Sequence, residues 1–213
     1  MPATLLLIRH GETAWNREKI FRGVHDIPLN ANGRAQAEQL AKALAGREIH
    51  AAYSSPLSRA RETAQIALRG HDIPIEDHPD LKDFDYGEWT GLKDSVVAER
   101  WSEEHARWNT SPHQAHPSGG ETLEGVRNRA VDFLSTLVEK HPEQSIALFA
   151  HRVVNKILIL SMLSLELDRF PYICQDNCCL NEFFYSGEDF IVASLNDTCH
   201  IRGSKASLLK EDF

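Results

Sequence analysis

Two histidines occupy matching positions after two apolar segments of the chain. The run 5–8 leads into Arg9 and His10, and the run 145–149 leads, one residue later, into His151. Both runs are typical of buried strands in a parallel sheet. Because ligands bind at the carboxyl ends of such strands, we expect both imidazoles at one edge of the sheet. A histidine there can act as a nucleophile, and an arginine can bind a phosphate through two N–H groups. The alternative is an arginine and a histidine that merely cap a strand.

A third basic group, Arg59, belongs to the same predicted edge. Ser55 followed by Pro56 predicts the start of a helix, with proline at its first position, and Arg59 lies about one turn into it. The positive end of a helix dipole favours an anion there. Alone, Arg59 would more readily be interpreted as a surface arginine in an ion pair. Together with the two histidines and Arg9, it indicates a phosphate site.

Strand-like and helix-like segments alternate along the chain, which predicts an α/β fold with a mostly parallel, doubly wound sheet and helices on both faces. Residues 11–29 are rich in Gly, Asn and Pro and are predicted as a loop. Residues 93–118 break the alternation and are predicted as a small helical insertion. The predicted helices are 31–45, 56–69, 122–140 and 153–163, and the predicted strands are 5–8, 49–53, 145–150, 179–185 and 190–195.

Length and composition limit the classes of protein. The 213 residues, 42% hydrophobic and 25% charged, predict one domain over 1–213 with a polar, mobile tail at about 202–213. A formal net charge of −8 argues against nucleic acid or an anionic membrane as partner. No run approaches the ~20 apolar residues of a membrane span, and no secretory signal is present, so we expect a cytoplasmic protein. The four cysteines contain no CxxC pair and are expected to be reduced thiols rather than metal ligands.

Four motifs, in order and at the right intervals, give the chain a family resemblance. It resembles the histidine phosphatase superfamily, the phosphoglycerate-mutase-like group, over nearly its whole length. The closing stretch 196–200 also looks like bacterial small-metabolite phosphatases, some of which resemble phosphoserine or α-ribazole phosphatases. The motifs are Arg9-His10-Gly11-Glu12-Thr13 with Asn16, Ser54-Ser55-Pro56-Leu57-Ser58-Arg59-Ala60, Gly119-Gly120-Glu121-Thr122 and Ala150-His151.

The resemblance implies roles for individual residues. His10 would be the nucleophile that forms a phosphohistidine, with no cofactor and no metal. A pocket for the transferring phosphoryl group would contain Arg9, Arg59 and His151, with Asn16 as a neutral donor. Weaker similarity places Arg22 and Gly23 against the substrate. Because the nucleophile must be neutral, a hydrogen bond to one ring nitrogen should fix its tautomer, although the sequence does not show which atom supplies it.

The general acid departs from the family pattern. Where members usually carry Leu-x-Glu, this chain has Leu81-Lys82-Asp83. We assign Asp83 to protonate the leaving oxygen and later to activate water. Aspartate is one methylene shorter, so either the backbone approaches more closely or another acid takes over. Glu88 is the main alternative, and Asp85 is a second.

A further departure is Arg152, because many members have glycine after the second histidine. Arg152 either adds positive charge near the leaving group or points outward at the start of its helix, and the sequence leaves both open. We expect substrate choice to depend on the insertion at 93–118 and on the residues around Arg22 and Tyr86.

The function predicted from the sequence is metal-independent hydrolysis of small phosphorylated metabolites, such as phosphoglycerates, phosphoserine, sugar phosphates or α-ribazole phosphate. A mutase is the first alternative, although mutases tend to have a longer insertion after the acid motif. A catalytically weak binding protein on the same fold is the second. Asp83-Phe84-Asp85 resembles haloacid-dehalogenase phosphatases but lacks the buried strand they need before it. His113 and His116 are interpreted as loop histidines rather than a metal pair. The particular metabolite and the oligomeric state, a homodimer included, stay open.

Overall fold

Strands and helices alternate through residues 2–201, the part of the chain that this computed structural model describes. The polar tail predicted for 202–213 lies outside the described residues. The strands are β1 (Ala3–Arg9), β2 (Ala51–Ser54), β3 (Ile75–Asp77), β4 (Ser145–Ala150), β5 (Leu180–Tyr185) and β6 (Phe190–Asp197). The α-helices are α1 (Ala14–Glu18), α2 (Ala31–Leu44), α3 (Ser58–Ala67), α4 (Asp94–Arg100), α5 (Ser102–Thr110), α6 (Leu123–Lys140) and α7 (Arg152–Met162).

The strands form one six-stranded sheet in the order β3-β2-β4-β1-β5-β6. The neighbours from β3 to β1 are parallel, whereas β5 is antiparallel to β1 and β6 is antiparallel to β5. The predicted α/β class with a mostly parallel sheet is confirmed, and the sheet is mixed because β5 and β6 form a hairpin along one side.

Helices cover both faces of the sheet because side chains alternate along each central strand. Leu5 and Leu7 of β1 belong to a core with α6 and α7, whereas Leu6 and Ile8 belong to a second core with α2 and α3. The central strands are therefore buried on both sides, which explains why β1 and β4 are continuous apolar runs rather than alternating ones.

Three details of the sequence prediction were wrong. The loop predicted for 11–29 contains α1, which begins with a capping box between Thr13 and Asn16. The helix predicted from Pro56 begins two residues later, after an N-cap at Leu57; the hydroxyl of Ser55 accepts the backbone N–H of Leu57 at 3.3 Å in the turn before it. Strand β3 was missed, since three residues at the sheet edge carry too little pattern.

The inserted segment 93–118 is helical, as predicted. It contains α4 and α5, followed by a 3₁₀ turn at Pro112–Gln114. A 3₁₀ segment after α7, Leu167–Tyr172, was not predicted; it packs against α7 and against the turn at 112–114. Over residues 2–201, no helix combines the length and the apolar character needed to cross a bilayer.

Candidate active site

The carboxyl ends of β1 and β4 meet in the middle of the sheet edge. Their parallel register pairs Arg9 with Ala150, so the next residue on each strand is a histidine. The backbone N–H of His10 donates to the carbonyl of Ala150 at 3.1 Å. The imidazole rings of His10 and His151 are 5.2 Å apart between centroids. The structure thus brings together the two histidines that the sequence placed at one edge.

One ring nitrogen of His10 is held by the adjacent backbone. Nδ1 lies 2.7 Å from the carbonyl oxygen of Gly11, and because a carbonyl oxygen only accepts, Nδ1 carries the proton. Nε2 then carries the lone pair; it is buried and has no hydrogen-bond partner in the described part of the chain. This tautomer is the form that a nucleophilic histidine requires.

The surroundings of both histidines favour the neutral ring. Burial is the main cause that lowers the pKa of His10 well below its usual value, and the charges of Arg59, Arg9 and Arg22 lower it further. Burial also lowers the pKa of His151 well below its usual value, again with a contribution from Arg59. Both imidazoles are therefore neutral near pH 7.

The depressed pKa values predict that the protein loses stability in mild acid. Below about pH 6.5 the unfolded chain binds protons at these histidines and the folded chain does not, so the free energy of unfolding falls by about 1.4 kcal/mol per pH unit for each. We expect the free energy of unfolding of His10→Gln, measured in urea between pH 6.5 and 5, to depend less steeply on pH than that of the wild type. The difference in slope should be about 1.4 kcal/mol per pH unit, which corresponds to one proton. An unchanged slope would show that His10 is protonated in the folded state.

Buried arginines supply the positive charge of the site. Arg9, Arg22 and Arg59 are all nearly inaccessible to solvent, and their charges act on both histidines. The guanidinium of Arg59 donates through Nη1 to the carbonyl of His25 and through Nη2 to that of Gly23, both at 2.7 Å. These bonds fix the plane of a side chain whose burial otherwise costs much free energy. Fixed guanidinium groups can hold an oxyanion without further rearrangement.

Asp83 lies between Arg59 and His151. Its Oδ2 is 3.1 Å from Nη2 of Arg59 and 3.7 Å from Nδ1 of His151. Its Oδ1 accepts the backbone N–H of Phe84 at 3.0 Å. Only 7% of the side chain is exposed. A carboxyl group in this place can exchange a proton with a group bound among the arginines.

The two alternative acids lie elsewhere. Glu88 is exposed to solvent. The Oδ1 of Asp85 accepts the backbone N–H of Gly87 at 2.9 Å, so this carboxylate shapes the turn. Among the three acids of the motif, only Asp83 lies beside the histidine pair, which means that the backbone approaches closely enough for the shorter side chain.

A residue that sequence reasoning missed holds the segment carrying Asp83. Arg129 of α6 pairs with Glu121 through two bonds, Nε to Oε1 at 2.9 Å and Nη2 to Oε2 at 3.0 Å. Its Nη1 also donates to the carbonyls of Asp80 at 2.5 Å and Lys82 at 2.8 Å, and Nη2 lies 3.3 Å from that of Asp83. One guanidinium therefore binds three of the four carbonyls of residues 80–83, the segment that ends at Asp83.

We expect Arg129→Met to lower the free energy of unfolding by about 2 kcal/mol, because hydrogen bonds from a charged, partly buried donor to several carbonyls are lost together. Urea unfolding measures the loss. Arg127→Met on the same helix is the matched control, since its pair with Glu124 is long, 3.8 Å, and more exposed; a change below about 0.5 kcal/mol is expected there. Equal effects in both variants would contradict the role given to Arg129.

The motif Gly119-Gly120-Glu121-Thr122 acts through the same contacts. A Cβ on Gly120 would lie 2.5 Å from the carbonyl oxygen of Asp85, so only glycine allows the two backbones to approach. The carboxylate of Glu121 also accepts the backbone N–H of Asp85 at 2.9 Å. Thr122 is the N-cap of α6 and accepts from the N–H of Gly125 at 3.1 Å. This motif therefore builds the support of the acid segment.

The other predicted site residues have different surroundings. The Oδ1 of Asn16 accepts both the backbone N–H and the hydroxyl of Thr13 at 2.9 Å, which fixes its amide. Gly23 has a positive φ of 49°, and a Cβ there would lie 2.8 Å from the carbonyl of Phe84. Arg152 is half-buried and lines a cavity beside the site rather than the outer surface.

Two further residues contribute that the sequence analysis gave no role. The hydroxyl of Ser55 lies 2.8 Å from Nε2 of His151 and orients that ring; the sequence indicated this serine as a helix start and as part of a motif, but not as a partner of His151. Thr63 lies four residues after Arg59 on α3, and its Oγ1 accepts the backbone N–H of Gly11 at 3.0 Å. The spacing of four, which brings side chains to one face of a helix, was a signal that could have identified Thr63.

Each of the four cysteines is a free thiol in the structure. Cys178 and Cys179 are buried, whereas Cys174 and Cys199 are exposed. Within residues 2–201, no group of three or more His, Cys, Asp or Glu side chains has the arrangement of a metal site.

Comparison with known proteins places this geometry in a family. A model of the histidine phosphatase superfamily (branch 1) matches residues 5–198. Phosphoserine phosphatase 1 of Hydrogenobacter thermophilus is 29% identical over 197 residues, which cover 92% of this chain and 93% of that protein. A 2,3-bisphosphoglycerate-dependent phosphoglycerate mutase of Parvibaculum lavamentivorans is 34% identical over 139 residues, 62% of this chain and 66% of that protein.

Solved structures agree with the sequence comparison. YhfR of Bacillus stearothermophilus superposes with a TM-score of 0.89 at 31% identity, covering 93% of this chain and 98% of that one. The family match extends over both histidine motifs, the segment of Asp83 and the hairpin of β5 and β6. The chain is a member of branch 1 of the histidine phosphatase superfamily.

Proposed function

We propose that the protein is a metal-independent phosphomonoesterase that hydrolyses small phosphorylated metabolites through a phosphohistidine at His10. One observation carries the proposal: a buried, neutral imidazole with its lone pair at Nε2 lies among three buried arginines. Phosphoryl transfer depends mainly on positioning and on stabilising the charge of the equatorial oxygens, and this site supplies both. The names of relatives such as phosphoserine phosphatase 1 support hydrolysis as the reaction.

In the first step, Nε2 of His10 attacks the phosphorus atom while the bond from phosphorus to the ester oxygen breaks. Arg9, Arg59 and neutral His151 bind the phosphoryl oxygens, with Asn16 and Arg22 as further donors. Asp83 gives its proton to the departing alkoxide, which leaves as an alcohol. Phosphate oxygens that enter between Arg59 and Asp83 take over the donors of Arg59, and their negative charge favours protonation of the carboxyl group.

In the second step, water attacks the phosphohistidine. Asp83, now a carboxylate, accepts a proton from that water, the bond from phosphorus to Nε2 breaks, and inorganic phosphate is released. His10 returns to its neutral form, because the proton on Nδ1 is held by Gly11 throughout. The arginines supply the positive charge that metal ions supply in other phosphatases, which is why we propose that no metal is needed.

A mutase is the second candidate, favoured by the relative of that name. A mutase must keep water away from the phosphohistidine, and the segment 93–118 is short for such a cover. Incubation with 3-phosphoglycerate and 2,3-bisphosphoglycerate separates the two candidates. Release of inorganic phosphate supports the phosphatase, whereas formation of 2-phosphoglycerate without phosphate release supports the mutase.

The first test of the proposal is hydrolysis of p-nitrophenyl phosphate in excess EDTA. We expect full activity in the presence of the chelator. Loss of activity that added Mg²⁺ or Zn²⁺ restores would contradict metal independence. Absence of both turnover and phosphohistidine would leave a binding protein on the same fold.

We further propose that the protein works in the cytoplasm, where thiols stay reduced; the four free cysteines support this. The mechanism holds equally for a monomer and for a homodimer, because one chain supplies every residue of the site.

A further inference from the structure

A cavity of about 390 Å³ lies beside the phosphoryl site. It is bounded by α5, by the first two turns of α7 and by the 3₁₀ segment 167–172. The cavity adjoins the proposed site at two points. Tyr86 in its wall lies in the segment that carries Asp83, and Arg152 directly follows His151. Its size is that of a small-molecule pocket, and the mechanism described above uses no part of it.

Lys156 is the least expected residue of this cavity. It is 3% exposed, and its Nζ donates to the carbonyl of Phe170 at 3.1 Å and lies 4.4 Å from the centre of that ring. Among the described residues, no carboxylate forms an ion pair with Lys156. Burial lowers the pKa of its ammonium group well below the usual value, and the charge of Arg152 lowers it further. Burying an ammonium group against a carbonyl oxygen and a ring face, with no carboxylate of the described chain beside it, is costly, which points to an anionic ligand.

Arg152 and Lys156 are four residues apart on α7, so both lie on the helix face that lines the cavity. Like charges at this spacing repel each other. Asp94 also lines the cavity, although its Oδ1 lies 2.6 Å from Nε2 of His105. Arg152 and Lys156 thus bring two basic side chains to one wall of the cavity, and an anionic group of a ligand would interact favourably with both.

Three further lining residues are aromatic: Tyr86, Trp108 and Phe170. The ring of Trp108 lies 5.3 Å from that of Tyr86 and 6.4 Å from that of Phe170, measured between centroids. These rings can pack against the carbon part of a ligand.

We propose that this cavity binds the leaving group, and that Arg152 and Lys156 select phosphomonoesters whose alcohol carries a carboxylate. The inference rests on the proposed function and names the substrate class for that same site. Bidentate guanidinium donors and a buried ammonium together suit a carboxylate.

Two matched pairs of substrates test the inference. O-Phosphoserine and O-phosphoethanolamine differ only in the carboxylate, and 3-phosphoglycerate differs from glycerol 3-phosphate only in having a carboxylate for a hydroxymethyl group. For the wild-type protein we expect kcat/KM to be about 10-fold or more higher for the carboxylate member of at least one pair. Arg152→Gln and Lys156→Met should each bring that ratio towards one, whereas Arg169→Gln, an exposed arginine nearby, should preserve it.

The design separates this inference from the proposed function. If the wild-type protein hydrolyses p-nitrophenyl phosphate but the kcat/KM ratio is near one in both substrate pairs, the carboxylate site is overturned and the proposed phosphatase activity still stands. A wild-type ratio that survives in both Arg152→Gln and Lys156→Met would overturn the assignment of these residues. Calorimetric Kd values for 3-phosphoglycerate and glycerol 3-phosphate on His10→Ala give the same ratio without turnover. If Lys156→Met does not fold, the half-buried Arg152→Gln decides the outcome.

Discussion

His10→Ala is expected to lower kcat for p-nitrophenyl phosphate by about 10⁴-fold or more, as removal of a covalent nucleophile does in other enzymes. The other buried imidazole, His151, cannot replace it, because Ser55 lies 2.8 Å from its Nε2 and Asp83 3.7 Å from its Nδ1. The arginines remain, so the variant should still bind inorganic phosphate. Initial rates in excess EDTA, with phosphate as a competitive inhibitor, measure both properties.

The control is His71→Ala, because His71 lies in the turn after α3 and outside the site; its rate should stay within about twofold of the wild type. Acid-labile phosphate trapped on the wild-type chain should be absent from His10→Ala. Appreciable turnover in that variant, or phosphate trapped on another residue, would show that the nucleophile has been wrongly assigned.

The large features of the site could be predicted from sequence because strand patterns place them. Apolar runs before His10 and His151 predicted two strands of a parallel sheet with both imidazoles at one edge. The structure shows that these strands are neighbours and that the ring centroids are 5.2 Å apart. The assignment of Asp83 left Glu88 and Asp85 open as alternatives, since its motif lies on no regular element. Its position depends on Arg129, more than forty residues away in the sequence, which no local pattern reveals.

Contacts made by the backbone were equally hidden. Every residue has a backbone carbonyl, so the sequence does not show which one accepts a given hydrogen bond. A hydrogen bond to one ring nitrogen of His10 could therefore be expected, but its acceptor, the carbonyl of Gly11, could not be identified. The same holds for Arg9, whose Nη1 donates to the carbonyl of Gln175 at 2.5 Å across a long sequence separation. The orientation of Arg152 could not be predicted for a similar reason. Arg152 lines a cavity that the 3₁₀ segment after α7 helps to form, and the sequence analysis did not predict that segment.

Asp83→Asn is expected to lower kcat by about 10²–10⁴-fold, the usual cost of losing a general acid. Asparagine has the same shape, and its oxygen can still accept from Arg59 at the place of Oδ2. The proton for the leaving oxygen is lost. Glu88→Gln is the matched control: its side chain is exposed, so its rate should stay near that of the wild type.

The dependence on the leaving group distinguishes an acid from a residue that only supports the pocket. p-Nitrophenolate is stable enough to depart without a proton, whereas phenolate depends more strongly on one. Asp83→Asn should therefore lower kcat more for phenyl phosphate than for p-nitrophenyl phosphate. Arg129→Met disturbs the segment but keeps the carboxyl group, so it should lower kcat for the two esters by the same factor. An equal loss on both esters would mean that Asp83 only holds Arg59 in place. A larger, leaving-group-dependent loss in Glu88→Gln would transfer the role of acid to Glu88.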